Sequence, residues 1–226
     1  MKTIAIIPAR GGSKGIPRKN IIDFLGIPLL ATTIISCQKS KQIQETYVTS
    51  DDDEILKIAQ SFGAKAIKRP ANLATDISSS EEALIHALDT INEPSIKNVV
   101  FLQATSPLRE VKDIDSALEI FKRKELDSLF SASPAGDTCL WEEHDGSLKS
   151  VNYDYKNRKR RQDIKNRLIE NGSFYIFKPE ILLKNKNRLG GKIGFYLMEE
   201  WKLHEIDSYE DLELCKFLYE RRINGE

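Results

Sequence analysis

The chain is 226 residues long, with 34 Lys and Arg against 34 Asp and Glu and a hydrophobic share of 40%. That length suits one large domain, or one with a small elaboration, hiding roughly 70% of its unfolded surface. The zero net charge excludes a global field that would draw the chain to nucleic acid or a membrane, so any anion site must be local.

Residues 3–8 (TIAIIP) are a short apolar, β-branched run and predict a buried strand. A Gly-rich loop follows, then a helix from about Pro28 to Lys39 and a second strand over Glu45–Ser50. From Asp52 to Phe62, Ile55, Ile58, Ala59 and Phe62 fall on one helical face, with Gly63 as a stop. Ala64–Lys68 is a brief third strand, and Ser79 with Glu82 forms a capping box for a helix through Ile91. Asn98–Gln103 (NVVFLQ) is the clearest buried strand; a helix carrying Ile114, Ala117, Leu118 and Phe121 and a strand over Asp127–Ala132 follow it. This alternation predicts an α/β fold with a mixed, mostly parallel sheet and helices on both faces. Ligands in such sheets bind beyond the carboxyl ends of the strands, here after Pro8, Ser50 and Gln103.

The rhythm breaks from about residue 134 to 167, a polar stretch with an Asp145-Gly146 turn signal and the basic run KNRKRR at 156–161. It predicts an excursion from a single 1–226 domain. Gly172–Phe177 resumes the strand pattern, and Ser208 with Asp211 caps a last helix through about Arg222. Cys37, Cys139 and Cys215 are odd in number and far apart, with neither metal-ligand spacing nor a disulfide framework. No run approaches the roughly 18 to 20 apolar residues of a membrane span, and no signal-peptide pattern opens the chain. A cytoplasmic location without membrane contact is the expectation.

Directly after the first strand come Arg10, Gly11, Gly12, Ser13, Lys14, Gly15, Arg18 and Lys19. Glycines let backbone N–H groups approach a ligand, and the cations supply charge, so the loop suits a polyphosphate. Its spacing is neither that of a P-loop nor that of a dinucleotide-binding turn. Composition alone takes the loop no further than a nucleotide or phosphosugar.

The segment IPARGGSKGIPRKN (residues 7–20) resembles the signature of the CMP-sialic acid synthetases, or acylneuraminate cytidylyltransferases, and of bacterial relatives for legionaminic and pseudaminic acids. Further similar segments follow in order. They are VTSDDDEI from Val48, RPANLATDISSS from Arg69, FLQATSPLR from Phe101, RQD from Arg161, NGSFYIF from Asn171 and HEIDSYEDL from His204. The resemblance implies a Rossmann-like nucleotide-diphospho-sugar transferase fold, Mg2+ dependence and a homodimer built through a small protruding subdomain, for which residues 134–167 are the candidate.

The implied reaction is attack by the anomeric hydroxyl of an acidic nine-carbon sugar on the α-phosphate of CTP, with pyrophosphate leaving. By position, Arg10 and Lys19 are implied as catalytic phosphate binders, helped by Gly11, Gly12, Ser13 and Lys14. Asn20, Arg69 and Ser80 are implied to hold the cytidine, Ser80 also standing at a helix start. Gln103 is implied at the reacting hydroxyl, with Arg161 and Asn171 completing the sugar pocket. The family's metal motif is Asp-x-Asp; here Glu205 and Asp207 stand in its place. Alternate residues of an extended segment face one way, so both carboxylates are expected at one site, with Asp207 the direct ligand. Ile169 stands where relatives often carry Arg.

Sialic and legionaminic acids lead as substrates, with pseudaminic acid next. The eight-carbon Kdo comes last, because Kdo enzymes carry a differently spaced N-terminal loop. A rival class is a non-catalytic nucleotide- or RNA-binding protein that uses KNRKRR. Zero net charge and the lack of an aromatic-rich RNA motif argue against it, so no nucleic-acid partner is expected. His86, His144 and His204 have no evident dyad partner and read as structural or surface residues.

Overall fold

A computed structural model describes residues 2–13, 15–160, 163 and 167–224, and a seven-stranded sheet runs through nearly their whole length. The first half contains β1 (Lys2–Pro8), a small hairpin β2 (Asp23–Phe24) and β3 (Ile27–Pro28), α1 (Leu29–Lys39), β4 (Glu45–Ser50), α2 (Asp53–Ser61) and β5 (Lys65–Lys68). Next come α3 (Ser80–Ile91), β6 (Ile96–Leu102), α4 (Val111–Arg123) and β7 (Ser128–Pro134). The hairpin β8 (Trp141–His144) and β9 (Ser147–Ser150) then precedes β10 (Leu168–Phe177), α5 (Pro179–Asn185), β11 (Ile193–Leu197) and α6 (Tyr209–Tyr219).

The strand order is β11-β7-β10-β6-β1-β4-β5. Strand β1 pairs in parallel with β4 and β6, and β7 in parallel with β11. Only β10 runs antiparallel, between β6 and β7. The sheet is thus mixed and mostly parallel, as the alternation predicts.

Strands β1 and β6 are apolar on both sides because both sides are covered. On one face Leu30, Ile34, Ile55, Ala59, Ile114 and Phe121 of α1, α2 and α4 pack on Ile7, Val48 and Val100. On the other, Leu84, Ala87 and Leu182 of α3 and α5 pack on Ile4, Ile6, Val99 and Phe101. A third cluster joins Ile16, Phe24, Leu29 and Leu108 to Ile206, Leu212 and Cys215, tying the N-terminal loop to the C-terminal segment.

Helix starts follow the sequence signals. The Asp52 carboxylate accepts from Ile55 N, and complete capping boxes join Ser79 to Glu82 and Ser208 to Asp211. The end of α6 differs from expectation: the α-helix stops at Tyr219, and residues Glu220–Asn224 continue as a π-helical turn. Strand β10 begins at Leu168, four residues before the predicted start, because a register irregularity between Glu170 and Tyr175 breaks its alternation. Helix α5 and strand β11 were not predicted. Between β7 and β10, Asp145 and Gly146 both take positive φ (49° and 75°), as a two-residue type I′ hairpin requires.

The turn at Glu200–Leu203 is pinned from inside. Lys202 is fully buried, and its Nζ donates to Glu110 at 2.6 Å and Asp113 at 2.8 Å. That anchor leads the chain into residues 204–207 beside the carboxyl end of β6.

Candidate active site

A cavity of about 290 Å³ opens beyond the carboxyl ends of β1 and β6. Arg10, Gly12, Ser13, Lys19, Asn20, Arg69, Ser80 and Gln103 all line it. These residues come from the loop after β1, the segment after β5, the first turn of α3 and the residue after β6, so the parallel topology brings their loops to one end of the sheet. Phe101, Thr105, Asp76, Ser78 and the capping Ser79 complete much of the wall, none of them a site residue in the sequence reading.

The loop after β1 is held by its own polar groups. Asn20 Nδ2 donates to the Arg10 carbonyl at 2.9 Å, and Gly11 N donates to Asp51 Oδ1 at 3.0 Å. Buried Ile16 anchors the loop from below. At Gly15 a Cβ would lie 2.2 Å from the Asp207 carbonyl oxygen, so only glycine allows this approach. Asn20 therefore braces the loop as well as lining the cavity.

Both candidate phosphate cations carry a carboxylate partner. Arg10 Nη1 donates to Asp76 Oδ1 at 2.8 Å and to the Thr75 carbonyl at 3.1 Å. Lys19 Nζ donates to Asp207 Oδ1 at 2.7 Å across 188 positions of sequence. Arg18 faces away from this set, donating bidentately to Asp52 and also to Glu54. Arg69 is buried and its Nε has no partner among the described residues. Burial lowers its pKa; Asp51 opposes that shift and Arg10 adds to it. Ser79 supplies the α3 cap, which leaves the Ser80 hydroxyl uncommitted to capping.

At the other side of the cleft Gln103, Gly172 and Glu205 converge. A Cβ on Gly172 would lie 2.0 Å from Glu205 Oε1 and 2.9 Å from Gln103 Nε2, and Gly172 has φ +67°. Glycine is needed here for both conformation and space. Residues 204–206 are not part of the sheet; Ile206 N donates to the Thr105 carbonyl at 2.8 Å, and its side chain enters the third apolar cluster. Its acidic neighbours consequently differ: Glu205 is half-buried, whereas the Asp207 side chain is 77% exposed. Burial raises the Glu205 carboxyl above its ordinary range and Asp207 adds to this, while Lys19 and Arg109 oppose it. Among the described residues no group of three or more His, Cys, Asp or Glu is assembled for a metal.

Two expected sugar-pocket residues stand apart. Asn171 is buried within the sheet, where its Oδ1 accepts from Ser131 Oγ at 2.6 Å and its Nδ2 donates to Ser133 Oγ at 3.0 Å. It does not line the cavity. Arg161, like Lys14 of the loop, lies outside the described residues. His144 and His204 are exposed, and none of the three histidines lines the cavity.

A cavity lined by Arg10, Lys19 and Arg69, with Asp207 outside its lining on Lys19 and Glu205 outside it beside Gln103 and Gly172, suits a polyanion, and the similarities of the chain point the same way. Over its full length it is 34% identical to the pseudaminic acid cytidylyltransferase of Campylobacter jejuni subsp. jejuni serotype O:23/36, covering 99% of that protein. It is 37% identical over 86% of its length to the N-acylneuraminate cytidylyltransferase of Oncorhynchus mykiss, spanning 45% of that longer protein. A solved CMP:2-keto-3-deoxy-manno-octonic acid synthetase complexed with CTP shares the fold, with a TM-score of 0.74 at 17% identity over 98% of this chain and 99% of that one. The model of the family described as cytidylyltransferase matches residues 4–223, and with it the loop, the cleft and the C-terminal acids described above, so the chain belongs to the cytidylyltransferase family.

Proposed function

We propose that this cytidylyltransferase transfers CMP from CTP to the anomeric hydroxyl of an acidic nine-carbon sugar and releases pyrophosphate. The observation that carries the reading is the single cleft in which Arg10, Lys19, Asn20, Arg69, Ser80 and Gln103 meet, with Glu205 and Asp207 at its side. Sialic and legionaminic acids are the substrate type of this reading. A second reading, pseudaminic acid, is favoured by the full-length similarity to the Campylobacter enzyme.

In this reading Arg10, Lys19 and the N–H groups of Gly12 and Ser13 receive the triphosphate, and Gly11, whose N–H is held by Asp51, shapes the turn; Lys14 at the phosphates and Arg161 at the sugar are assigned by resemblance alone. Their charge stabilises the departing pyrophosphate, where electrostatic preorganisation contributes most. Arg69, with a buried and unpartnered Nε, is suited to donate a hydrogen bond to the cytidine beside Asn20 and Ser80. The new bond joins the anomeric oxygen to the α-phosphorus, the bond to the bridging pyrophosphate oxygen breaks with its electrons leaving on pyrophosphate, and the hydroxyl proton passes to water. Gln103, a neutral amide, orients that hydroxyl without taking its proton. In this structure Asn171 supports the sugar side from within the sheet, through Ser131 and Ser133.

Glu205 and Asp207 fit Mg2+, which usually takes one or two carboxylates and completes its shell with water and phosphate oxygens. Burial raises the Glu205 carboxyl and Asp207 adds to it, a cost that a cation beside the two acids would relieve. Bound there, Mg2+ supplies charge neutralisation at the phosphates. We further infer a homodimer through residues 134–167, supported by the exposed Leu140, Trp141, Leu148 and Val151 on and beside the β8–β9 hairpin. A cytoplasmic setting agrees with three unpaired cysteines, and no helix among the described residues is long and apolar enough to cross a membrane.

Pyrophosphate release measured with CTP and a panel of N-acetylneuraminic, legionaminic and pseudaminic acids and Kdo tests the reading. Turnover requiring both CTP and a nine-carbon acid is expected. No turnover with any nine-carbon acid overturns it, and binding of RNA through KNRKRR in its place favours the non-catalytic class.

A further inference from the structure

Arg109 is the most deeply committed cation among the described residues near the cleft, yet it does not line the cavity. It is 3% exposed and lies at the end of the Ser-Pro-Leu-Arg turn that follows Gln103. Its guanidinium gathers three separate elements. Nη2 donates to the Gln103 carbonyl at 2.5 Å and to Thr33 Oγ1 of α1 at 2.7 Å. Nη1 donates to the Ser173 carbonyl at 2.9 Å and to Ser173 Oγ at 3.2 Å. Ser173 follows Gly172, and Gln103 N donates to the same Ser173 carbonyl at 3.2 Å. Arg109 and Glu205 also lie close enough to feel each other's charge.

These contacts fix what the sugar side of the cleft depends on. The Gln103 side chain and the Glu205 carboxylate meet over the bare Gly172 backbone, with no room for a methyl group between them. Gln103 stands just past the end of β6 and Gly172 with Ser173 at the irregularity within β10; Arg109 bonds to both, beside the direct Gln103 N to Ser173 carbonyl bond, while Glu205 enters from the segment held by Ile206 on the Thr105 carbonyl. The Arg109 fork is matched to several carbonyl and hydroxyl acceptors at once, which an ammonium on a flexible stem is not. The nucleotide side is held by other means: Asn20 on Arg10, Asp51 on Gly11 and Ile16 in its apolar cluster.

We infer that Arg109 is a positioning residue for the sugar half of the reaction, setting Gln103 and Gly172 against Glu205 while leaving the CTP half untouched. This rests on the function proposed above, since it deepens the account of the same cleft. A displacement of about 1 Å at a reacting group can cost on the order of 100-fold in rate. The assignment therefore predicts a specific split rather than a general loss.

The test compares wild type with Arg109→Lys, which keeps the charge and removes the fork. The CTP dissociation constant, measured by calorimetry without sugar, is expected within twofold of wild type. The kcat/KM for the sugar is expected to fall about 100-fold, with both kcat and sugar KM affected. Hydrogen exchange gives a readout that needs no sugar: amides of residues 103–106 and 172–174 should exchange faster, and those of residues 10–13 and 15–20 should not. Unchanged sugar parameters overturn the inference, as does a parallel loss of CTP affinity or a uniform rise in exchange.

If Arg109→Lys fails to fold, Thr33→Val removes one of the acceptors and keeps the cation. It should lower sugar kcat/KM about threefold and speed exchange at 103–106, with CTP binding intact; no change in either overturns the inference. Absence of wild-type turnover across the sugar panel defeats the sugar assignment instead, and the exchange pattern still decides the role of Arg109.

Discussion

The two sides of the cleft are built on opposite plans. On the proposed nucleotide side the phosphate-facing cations come from one continuous loop and sit in ion pairs, Arg10 with Asp76 and Lys19 with Asp207, while Arg69 and Ser80 join from the next elements. The sugar side is assembled from Gln103, Gly172 and Glu205, which are far apart in sequence and held from beneath by a buried arginine. Polyphosphate recognition tolerates long, adjustable side chains because charge acts at a distance. Orienting a single hydroxyl needs short-range placement, and that requires a packed support.

This contrast is open to attack by mutation, beginning with the largest effect. Asp207→Ala should abolish measurable pyrophosphate release, a loss of at least about 1000-fold, because it removes the carboxylate proposed to hold Mg2+. Its side chain is 77% exposed, so the melting temperature should stay within about 2 °C of wild type. Retained activity would take Asp207 out of the metal site. Arg10→Ala should lower kcat/KM for CTP about 100-fold, corresponding to roughly 2.7 kcal/mol of lost transition-state stabilisation. Steady-state kinetics with each substrate varied separately checks this, and a change confined to sugar KM would place Arg10 on the wrong side of the comparison.

Gly172→Ala should damage the sugar side and the fold together. The added methyl meets Glu205 and Gln103, and alanine at φ +67° is strained, so a destabilisation of about 1–3 kcal/mol is expected in denaturant unfolding. Sugar KM should rise by more than CTP KM. The smallest effect is expected at Arg18→Ala, on the outward face of the loop. Arg18 holds the Asp52 carboxyl below its ordinary range, so the pair contributes stability above the unfolded Asp pKa and loses it as pH falls through the folded one. An exposed pair of this kind is screened by solvent and contributes little. The variant should melt slightly below wild type at pH 7, and the gap should close as pH falls below the ordinary Asp range.

The same division explains what was legible in the sequence. The first half of the sheet was readable because β1, β4 and β6 each carry a central run of apolar, aromatic or β-branched residues and the α2 and α3 caps carry their own Asp, Ser and Glu signals. The nucleotide loop was readable because its residues are consecutive. Helix α5 spans seven residues, too few for a hydrophobic period, although Pro179 at its first position was an available signal. In β11 the residues Ile193, Phe195 and Leu197 are exposed, so the pattern lacks the polar alternation of a half-buried strand.

The sugar side was legible only as scattered motifs. Arg109 owes its role to partners 6, 64 and 76 positions away, which no local pattern encodes. The Glu205-Ile206-Asp207 alternation was legible as two acids flanking an apolar residue. Their unequal burial depends on Thr105 and the third apolar cluster, and that is a tertiary fact. Asn171 shows the converse, since a residue legible as part of a motif turns out to have its amide committed within the sheet.

The surface ion pairs of the cleft have one more consequence. Arg10 and Lys19 are already neutralised by Asp76 and Asp207, so an arriving triphosphate meets resident counter-ions built into the chain. In the proposed reaction, phosphate contacts at these two cations would displace their carboxylates, and Asp207 would be released beside Glu205 as Lys19 changes partner. Arrival of the anion would thereby free the acid proposed to hold a divalent cation, coupling the two proposed subsites through a single lysine.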